Sequence, residues 1–133
     1  MNMVFVNFPV TDLARSTAFY EKLGFKKNTD FSNDMASAMV WDEHFWIMLL
    51  RHDFYSRFIG DKSIADTQKT SGALVAFTMP SLEAVKAFGR IAKENGGNFY
   101  RVDMGIPEEQ MYGLEVQDPA GNMLEPNWMP TPS

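Results

Sequence analysis

The chain has 133 residues, 45% of them hydrophobic, and a formal net charge of −5. A chain of this length forms one domain and is too short for two ordinary ones. The acidic balance argues against a nucleic-acid partner, because phosphate backbones are bound mainly through Lys and Arg. The absence of cysteine excludes disulfides and thiolate metal sites and fits a cytoplasmic protein. No apolar stretch approaches the roughly 18 residues that cross a bilayer, so we expect no membrane partner.

A weak repeat relates the two halves of the sequence. The stretch VNFPVTDLARSTAFY, from Val6, matches VAFTMPSLEAVKAFG, from Val75, at five of fifteen positions with a constant separation of 69 residues. Each copy is typical of a strand, a capping residue (Asp12 or Ser81), a helix and a glycine stop. We therefore interpret the chain as a duplication, with a ferredoxin-like α+β fold as the competing architecture.

Segments of strand character follow each predicted helix, separated by turn signals. They cover residues 25–31, 36–41 and 45–50 in the first half, and 98–104, 111–117 and 122–128 in the second. Each half therefore reads β-α-β-β-β. The sequence predicts a single α+β domain over 1–133, with modules 1–51 and 72–133 joined by a polar linker, 52–71, that has room for a helical turn.

Two motifs resemble those of the vicinal oxygen chelate superfamily, which includes glyoxalase I, extradiol dioxygenases, and fosfomycin- and bleomycin-resistance proteins. FPVTDLARSTAFYEKLGF is similar to its opening signature, and DPAGNMLEP to its closing one. The resemblance covers nearly the whole chain. It implies that two βαβββ modules form a curled mixed sheet around a cleft, commonly in a homodimer, where a divalent metal binds vicinal oxygens of a substrate.

The resemblance also implies four equivalent metal-ligand positions, which fall on Phe5, Met48, Leu74 and Glu125. Of these side chains, only Glu125 carries the hard oxygen donor that divalent ions prefer, since a thioether is a soft ligand. We therefore expect no metal cofactor, although a divalent metal stays open as the alternative. A site made from His52 and Asp53 is a further, weaker alternative.

The same positions identify the cleft side of each strand, because side chains alternate between the two faces of a sheet. Besides Glu125, the expected cleft residues are Phe5, Asn7, Trp46, Met48, Leu50, Leu74, Thr78, Met123 and Asn127, with Tyr112 as an additional hydroxyl. Apolar walls with a few polar groups are typical of a small-molecule pocket. The alternative interpretation is that these residues are ordinary core.

Glu125 is unusual because a charged carboxylate in an apolar cleft is costly unless it is paired or protonated. We consider Arg51, Arg101 and Asn127 as its partners, and proton transfer by Glu125 as its catalytic role. The neighbouring Asp118 is explained by the geometry of the Asp-Pro turn alone.

Three functions follow from these observations. The first is binding of a small, partly apolar molecule by a homodimer without the usual metal site. The second is a divergent metal-dependent lyase, isomerase or dioxygenase that uses Glu125. The third is an interaction module with a protein partner. The aromatic residues Phe54, Tyr55 and Phe58 are expected to form a lid over the cleft or part of a dimer interface.

Overall fold

The computed structural model describes residues 2–130 and confirms the α+β fold with two successive modules. The first module contains β1 (Val4–Val10), α1 (Leu13–Lys22), β2 (Lys26–Asn28), a 3-10 turn (Thr29–Phe31), β3 (Ala36–Val40) and β4 (Phe45–Arg51). A short connecting segment holds α2 (His52–Tyr55) and a second 3-10 turn (Ser56–Phe58). The second module contains β5 (Val75–Thr78), α3 (Leu82–Glu94), β6 (Asn98–Tyr100), β7 (Tyr112–Gly113), β8 (Glu115–Gln117) and β9 (Met123–Trp128). Residues 1 and 131–133 of the predicted modules lie outside the described range.

The local signals that begin the two long helices act as predicted. The Asp12 side chain accepts a hydrogen bond from the Arg15 N–H at 3.1 Å, and the Ser81 hydroxyl accepts one from the Ala84 N–H at 3.0 Å. Each bond satisfies an amide that the first helical turn leaves without a partner.

Two predicted strands are shorter than expected, and a third is divided. The prediction 98–104 was too long, since β6 ends at Tyr100, and 111–117 forms the two short strands β7 and β8. The other short strand is β2. The prediction covered 25–31, whereas β2 ends at Asn28. The Asn28 side chain accepts hydrogen bonds from the N–H groups of Asp30 and Phe31, at 3.0 and 3.3 Å, and so starts a 3-10 turn in place of further strand.

The strands form two open sheets, one for each module. The first has the order β1-β4-β3-β2, and the second has the order β5-β9-β8-β6 with β7 also on β9. The pairs β1–β4 and β5–β9 are parallel, and Asn7 lies opposite Met48 as Ala76 lies opposite Glu125. Because Asn7 and Ala76 are separated by the repeat length, Met48 and Glu125 occupy equivalent places in the two sheets.

The inner face of each sheet packs against α1 and α3 in one shared hydrophobic core. Its buried members include Phe8, Val10, Ile47 and Leu49 from the first sheet, Leu114, Val116 and Leu124 from the second, and Phe19, Val85 and Phe88 from the helices. The Trp41 and Phe77 rings, 5.2 Å apart, join the two modules. The opposite face of each sheet carries the predicted cleft residues of the strands, except Tyr112. The prediction that Tyr112 faces the cleft was wrong, because Tyr112 pairs with Trp128 and its ring belongs to the core. No helix within residues 2–130 is long and apolar enough to cross a membrane.

A buried hydrogen-bond network around Asp118 connects the two modules. Asp118 is 3% exposed and accepts the Tyr20 hydroxyl at 2.8 Å and the N–H groups of Ala120 and Asn122 at 2.9 Å. The Asn122 amide also donates to Asp118, at 3.1 Å, and to the Pro9 carbonyl, at 3.0 Å. The expectation that turn geometry alone explains Asp118 was therefore wrong, since this carboxylate also binds a helix of the other module.

Burial changes the acid–base properties of both members of this pair. Desolvation raises the pKa of Asp118, although its hydrogen bonds to Tyr20, Asn122 and Ala120 act in the opposite direction. Desolvation, followed by the charge of Asp118, raises the pKa of Tyr20 well above its ordinary value. The Tyr20 hydroxyl therefore stays a hydrogen-bond donor at neutral pH.

We predict that Tyr20→Phe lowers the free energy of unfolding by about 2 kcal/mol, because it removes a donor from a buried carboxylate. Tyr100→Phe, at an exposed position, serves as the matched control and should leave stability unchanged. Urea denaturation of the three proteins measures the difference. Equal stability of Tyr20→Phe and the unsubstituted protein would show that the network contributes little.

Candidate functional site

The four family metal-ligand positions lie on the outer faces of the two sheets. Phe5 and Met48 belong to the first sheet, Glu125 belongs to the second, and Leu74 immediately precedes β5. Phe5 is 49% exposed and Leu74 is 53% exposed. Phenyl and isobutyl groups offer no donor atom, and the Met48 thioether is soft, so this set does not fit a divalent ion. No group of three or more His, Cys, Asp or Glu side chains suited to a metal exists among residues 2–130.

The first sheet instead carries an apolar cavity of about 430 Å³ at the place of Met48. We call it the lid cavity, and it is lined by Asn7, Met48, Leu50, Phe54, Tyr55, Phe58 and Ile59. The Asn7 side chain is the one amide in this wall, and none of the lining residues is charged. The Tyr55 hydroxyl is the second polar group of a wall that is otherwise apolar. Apolar walls with a few polar groups are typical of small-molecule pockets.

The aromatic side chains of the connecting segment form the roof of the lid cavity. Because α2 begins directly after β4, its side chains fold back over the end of that strand. The Phe54 and Phe58 rings meet edge to face with their centroids 5.1 Å apart, and the Arg57 guanidinium lies 5.6 Å from the Phe54 centroid. Phe58 is 66% exposed, so the roof is held by contacts among its own side chains as much as by the core.

Trp46 precedes Met48 by two residues on β4, belongs to a small aromatic group and lines a different cavity beside β2. Its ring contacts Phe5 and Phe31, with centroid distances of 5.3 and 5.8 Å. The Trp46 Nε1 atom is buried and has no hydrogen-bond partner among residues 2–130. This indole is therefore placed to report on changes in its surroundings.

Glu125 has a partner that the sequence did not indicate. Val116 pairs with Leu124 across the antiparallel strands β8 and β9, which places Glu115 beside Glu125 on the same face. Both line a separate cavity of about 200 Å³, whose other walls include Arg101, Met104, Ile106, Met111 and Asn127. The Glu115 Oε2 atom is buried without a hydrogen-bond partner among the described residues. The pairing of Glu115 with Glu125 follows from the register of β8 and β9, which cannot be read from the sequence alone.

The Glu115 carboxyl has a raised pKa. Desolvation, then a hydrogen bond with Glu125 and the negative charge of Glu125, raise the pKa of Glu115 to about 7. Glu115 can therefore donate or accept a proton near neutral pH.

The expected partners of Glu125 make other contacts. Arg51 forms a salt bridge with Asp53 at 3.1 Å. The carboxylate of the alternative His52–Asp53 site is therefore already paired. Arg101 lines the carboxylate cavity, but its guanidinium lies 3.5 Å from Glu108 and 4.9 Å from the Tyr112 ring centroid. The Asn127 side chain donates to the backbone carbonyl of Glu125 at 3.2 Å, so it does not reach the carboxylate.

The remaining predicted cleft residues are divided between the two sheets. Thr78, Met123 and Asn127 share the outer face of the second sheet with Glu125. Tyr112 is 7% exposed, and its ring is covered by the Lys86 ammonium and the Arg101 guanidinium. The lid cavity and the carboxylate cavity share no lining residue. Within one chain, the structure therefore presents two separate sites where the sequence predicted one cleft.

Comparisons with known proteins identify the same fold that the two motifs indicated. The family model described as Glyoxalase/Bleomycin resistance protein/Dioxygenase superfamily matches residues 2–125. No curated protein matches the chain by sequence.

Several solved structures share the fold at low sequence identity. A glyoxalase/bleomycin resistance protein/dioxygenase family enzyme from Burkholderia phytofirmans is 18% identical, with a TM-score of 0.76, 97% of this chain and 99% of that chain covered. The fosfomycin resistance protein FosX from Listeria monocytogenes, in complex with Mn(II) and sulfate, is 14% identical with a TM-score of 0.69, and 96% and 90% of the two chains are covered.

A third relative is the bleomycin-binding protein from Streptomyces verticillus, in complex with copper(II)-bleomycin. It is 15% identical with a TM-score of 0.61, and 95% of this chain and 94% of that chain are covered. These likenesses establish the fold, and the family match extends over nearly the whole sequence. The chain therefore belongs to the Glyoxalase/Bleomycin resistance protein/Dioxygenase superfamily.

Proposed function

We propose that the protein binds a small, partly apolar molecule in the lid cavity and does so without the superfamily's usual metal site. The observation that carries this proposal is the apolar wall around Met48, at a position where the family pattern implies a metal ligand. An apolar body gains free energy by leaving water for this cavity, at roughly 25 cal/mol per Å² of buried surface. The Asn7 amide supplies one directional contact. A superfamily relative that binds bleomycin supports a binding role for the fold.

The proposal includes a second copy of the chain as partner. The outer sheet faces expose Phe5 and Leu74 by about half, and an exposed apolar face of this kind is typical of an interaction surface. A homodimer would bury these side chains and close the approach to both cavities. Light scattering should then give twice the chain mass of 15.1 kDa, whereas a monomeric mass at micromolar concentration would contradict this part of the proposal.

We predict that Met48→Glu weakens binding of a neutral apolar dye such as Nile red by about tenfold or more, because it places a carboxylate in the apolar wall. Met129→Glu is the matched control, since Met129 is exposed and lines neither the lid cavity nor the carboxylate cavity. Dye fluorescence and Trp46 emission measure the affinity. Unchanged affinity in Met48→Glu would place the binding site elsewhere.

A second candidate function is a divergent lyase, isomerase or dioxygenase that uses Glu125. The observation that favours it is the pairing of Glu125 with Glu115, because a carboxyl group whose pKa is about 7 is suited to proton transfer. In this second candidate function, Glu125 transfers a proton beside a carbonyl or hydroxyl group of a substrate that occupies the carboxylate cavity.

The carboxylate pair also predicts a pH dependence of stability. The folded-state pKa of Glu115, about 7, lies above its unfolded value, so its favourable contribution is present below the unfolded value. That contribution is lost as the pH rises through about 7. Gln cannot ionise, so Glu115→Gln does not undergo this loss. The Tm of Glu115→Gln minus the Tm of the unsubstituted protein should therefore increase from about pH 5 to about pH 8.

The exposed Glu109 offers a matched control, and Glu109→Gln should leave the pH profile unchanged. Thermal unfolding across this pH range measures the effect. Parallel profiles for Glu115→Gln and the unsubstituted protein would argue that folding does not raise the pKa of Glu115, and would remove the support for the second candidate.

A further inference from the structure

Another cavity, of about 490 Å³, lies beside the lid cavity and is larger than it. We call it the linker cavity, because residues 62–73 supply much of its wall together with β1 and the turn between β8 and β9. Asn7, Tyr55 and Ile59 line both cavities. These three residues form the boundary between the two spaces, so the cavities are direct neighbours.

The wall supplied by the linker is fixed to the second module. The Thr67 hydroxyl donates to the Ala120 carbonyl, and the Gln68 amide donates to the Pro119 carbonyl at 2.9 Å. Gly121 has a φ of 92°, and a Cβ at this position would collide with the Thr67 carbonyl. The close approach of these two backbones shows that the linker cavity is built into the fold.

Lys62 is the one charged residue among all those that line the two cavities. This placement is notable in a chain whose net charge is −5. Within residues 2–130, the four salt bridges of the protein involve other cations. The Lys62 ammonium is therefore available to a ligand.

The other polar side chains of the linker cavity differ in what they can offer. The hydroxyls of Thr67, Thr70 and Ser71 donate to backbone carbonyls of the protein itself. Ser63 lines the cavity next to Lys62, and Asn7 lies at the boundary with the lid cavity. Tyr55, which lines both cavities, adds a second hydroxyl. One ammonium, two hydroxyls and one amide bring a single positive charge and suit a singly charged group, whereas a phosphate with nearly two charges would need more cationic donors.

We infer that the ligand is an amphipathic monoanion, namely a carboxylic acid whose apolar body occupies the lid cavity and whose carboxylate reaches Lys62. This inference rests on the proposed function, because it requires that the lid cavity takes the apolar body. It adds the chemical class of the ligand and a specificity-determining residue. Since Lys62 is exposed, solvent screens the ion pair, and the acid should gain about tenfold in affinity over a neutral analogue.

Matched pairs of probes test this assignment. Straight-chain and phenyl-terminated carboxylic acids of increasing length are each compared with the primary alcohol of the same length. Dissociation constants come from calorimetry or Trp fluorescence at low ionic strength, for the full chain and for Lys62→Met, Lys62→Arg and Lys69→Met. Lys69 is the matched control, because it belongs to the same linker and lines neither cavity.

We expect the best acid to bind about tenfold more tightly than its alcohol in the unsubstituted protein, in Lys62→Arg and in Lys69→Met. The two should bind equally in Lys62→Met, which still binds the alcohol. Equal binding of acid and alcohol in the unsubstituted protein, or an acid preference that survives in Lys62→Met, would overturn the inference and leave the proposed function intact. Failure of every acid and every alcohol to bind would overturn both.

Discussion

The buried carboxylate of Asp118 is the interaction on which the arrangement of the two modules depends. It accepts hydrogen bonds from Tyr20 on α1 and from the turn between β8 and β9, and Asn122 extends the network to the Pro9 carbonyl at the end of β1. The same turn holds the linker through Thr67 and Gln68. A single buried acid therefore fixes the position of β9, which carries Glu125, relative to the strand that carries Asn7. Both candidate sites rely on that relation, because a buried carboxylate that lost these donors would destabilise the turn that joins them.

The chain has the superfamily's framework with different side chains at two equivalent places. Met48 and Glu125 occupy equivalent places in the two sheets, yet one lies in an apolar wall and the other beside a second carboxylate. An ion that prefers several hard donors has little to bind at these positions. Under our proposal, an apolar molecule binds instead beneath the aromatic side chains that follow β4. The two modules thus carry surfaces of different polarity, one apolar and one acidic.

Features encoded in local sequence were predictable, whereas features that depend on contacts between distant residues were not. The caps Asp12 and Ser81 follow from short-range geometry, so they were predicted correctly. The pairing of Glu115 with Glu125 depends on the register of two strands, and Tyr20 meets Asp118 across 98 residues of chain. The end of β2 depends on competition between an Asn28 side chain and the strand ladder, which the strand pattern does not express. The sequence predicts a polar linker, but composition alone does not show which of its charged residues lines a cavity. Lys62 does so because the linker folds against β1 and the turn between β8 and β9.

The central claim is that the protein binds an apolar ligand beside Met48 and lacks the superfamily's usual metal site. Metal analysis of the purified protein tests it most directly, combined with thermal unfolding after chelation and after addition of Mn(II), Ni(II), Zn(II) or Fe(II). Our account predicts no stoichiometric ion and no change in Tm, because one carboxylate without hard neighbouring donors binds these ions weakly. One tightly bound ion per chain that raises the Tm, and that is lost in Glu125→Gln, would contradict it.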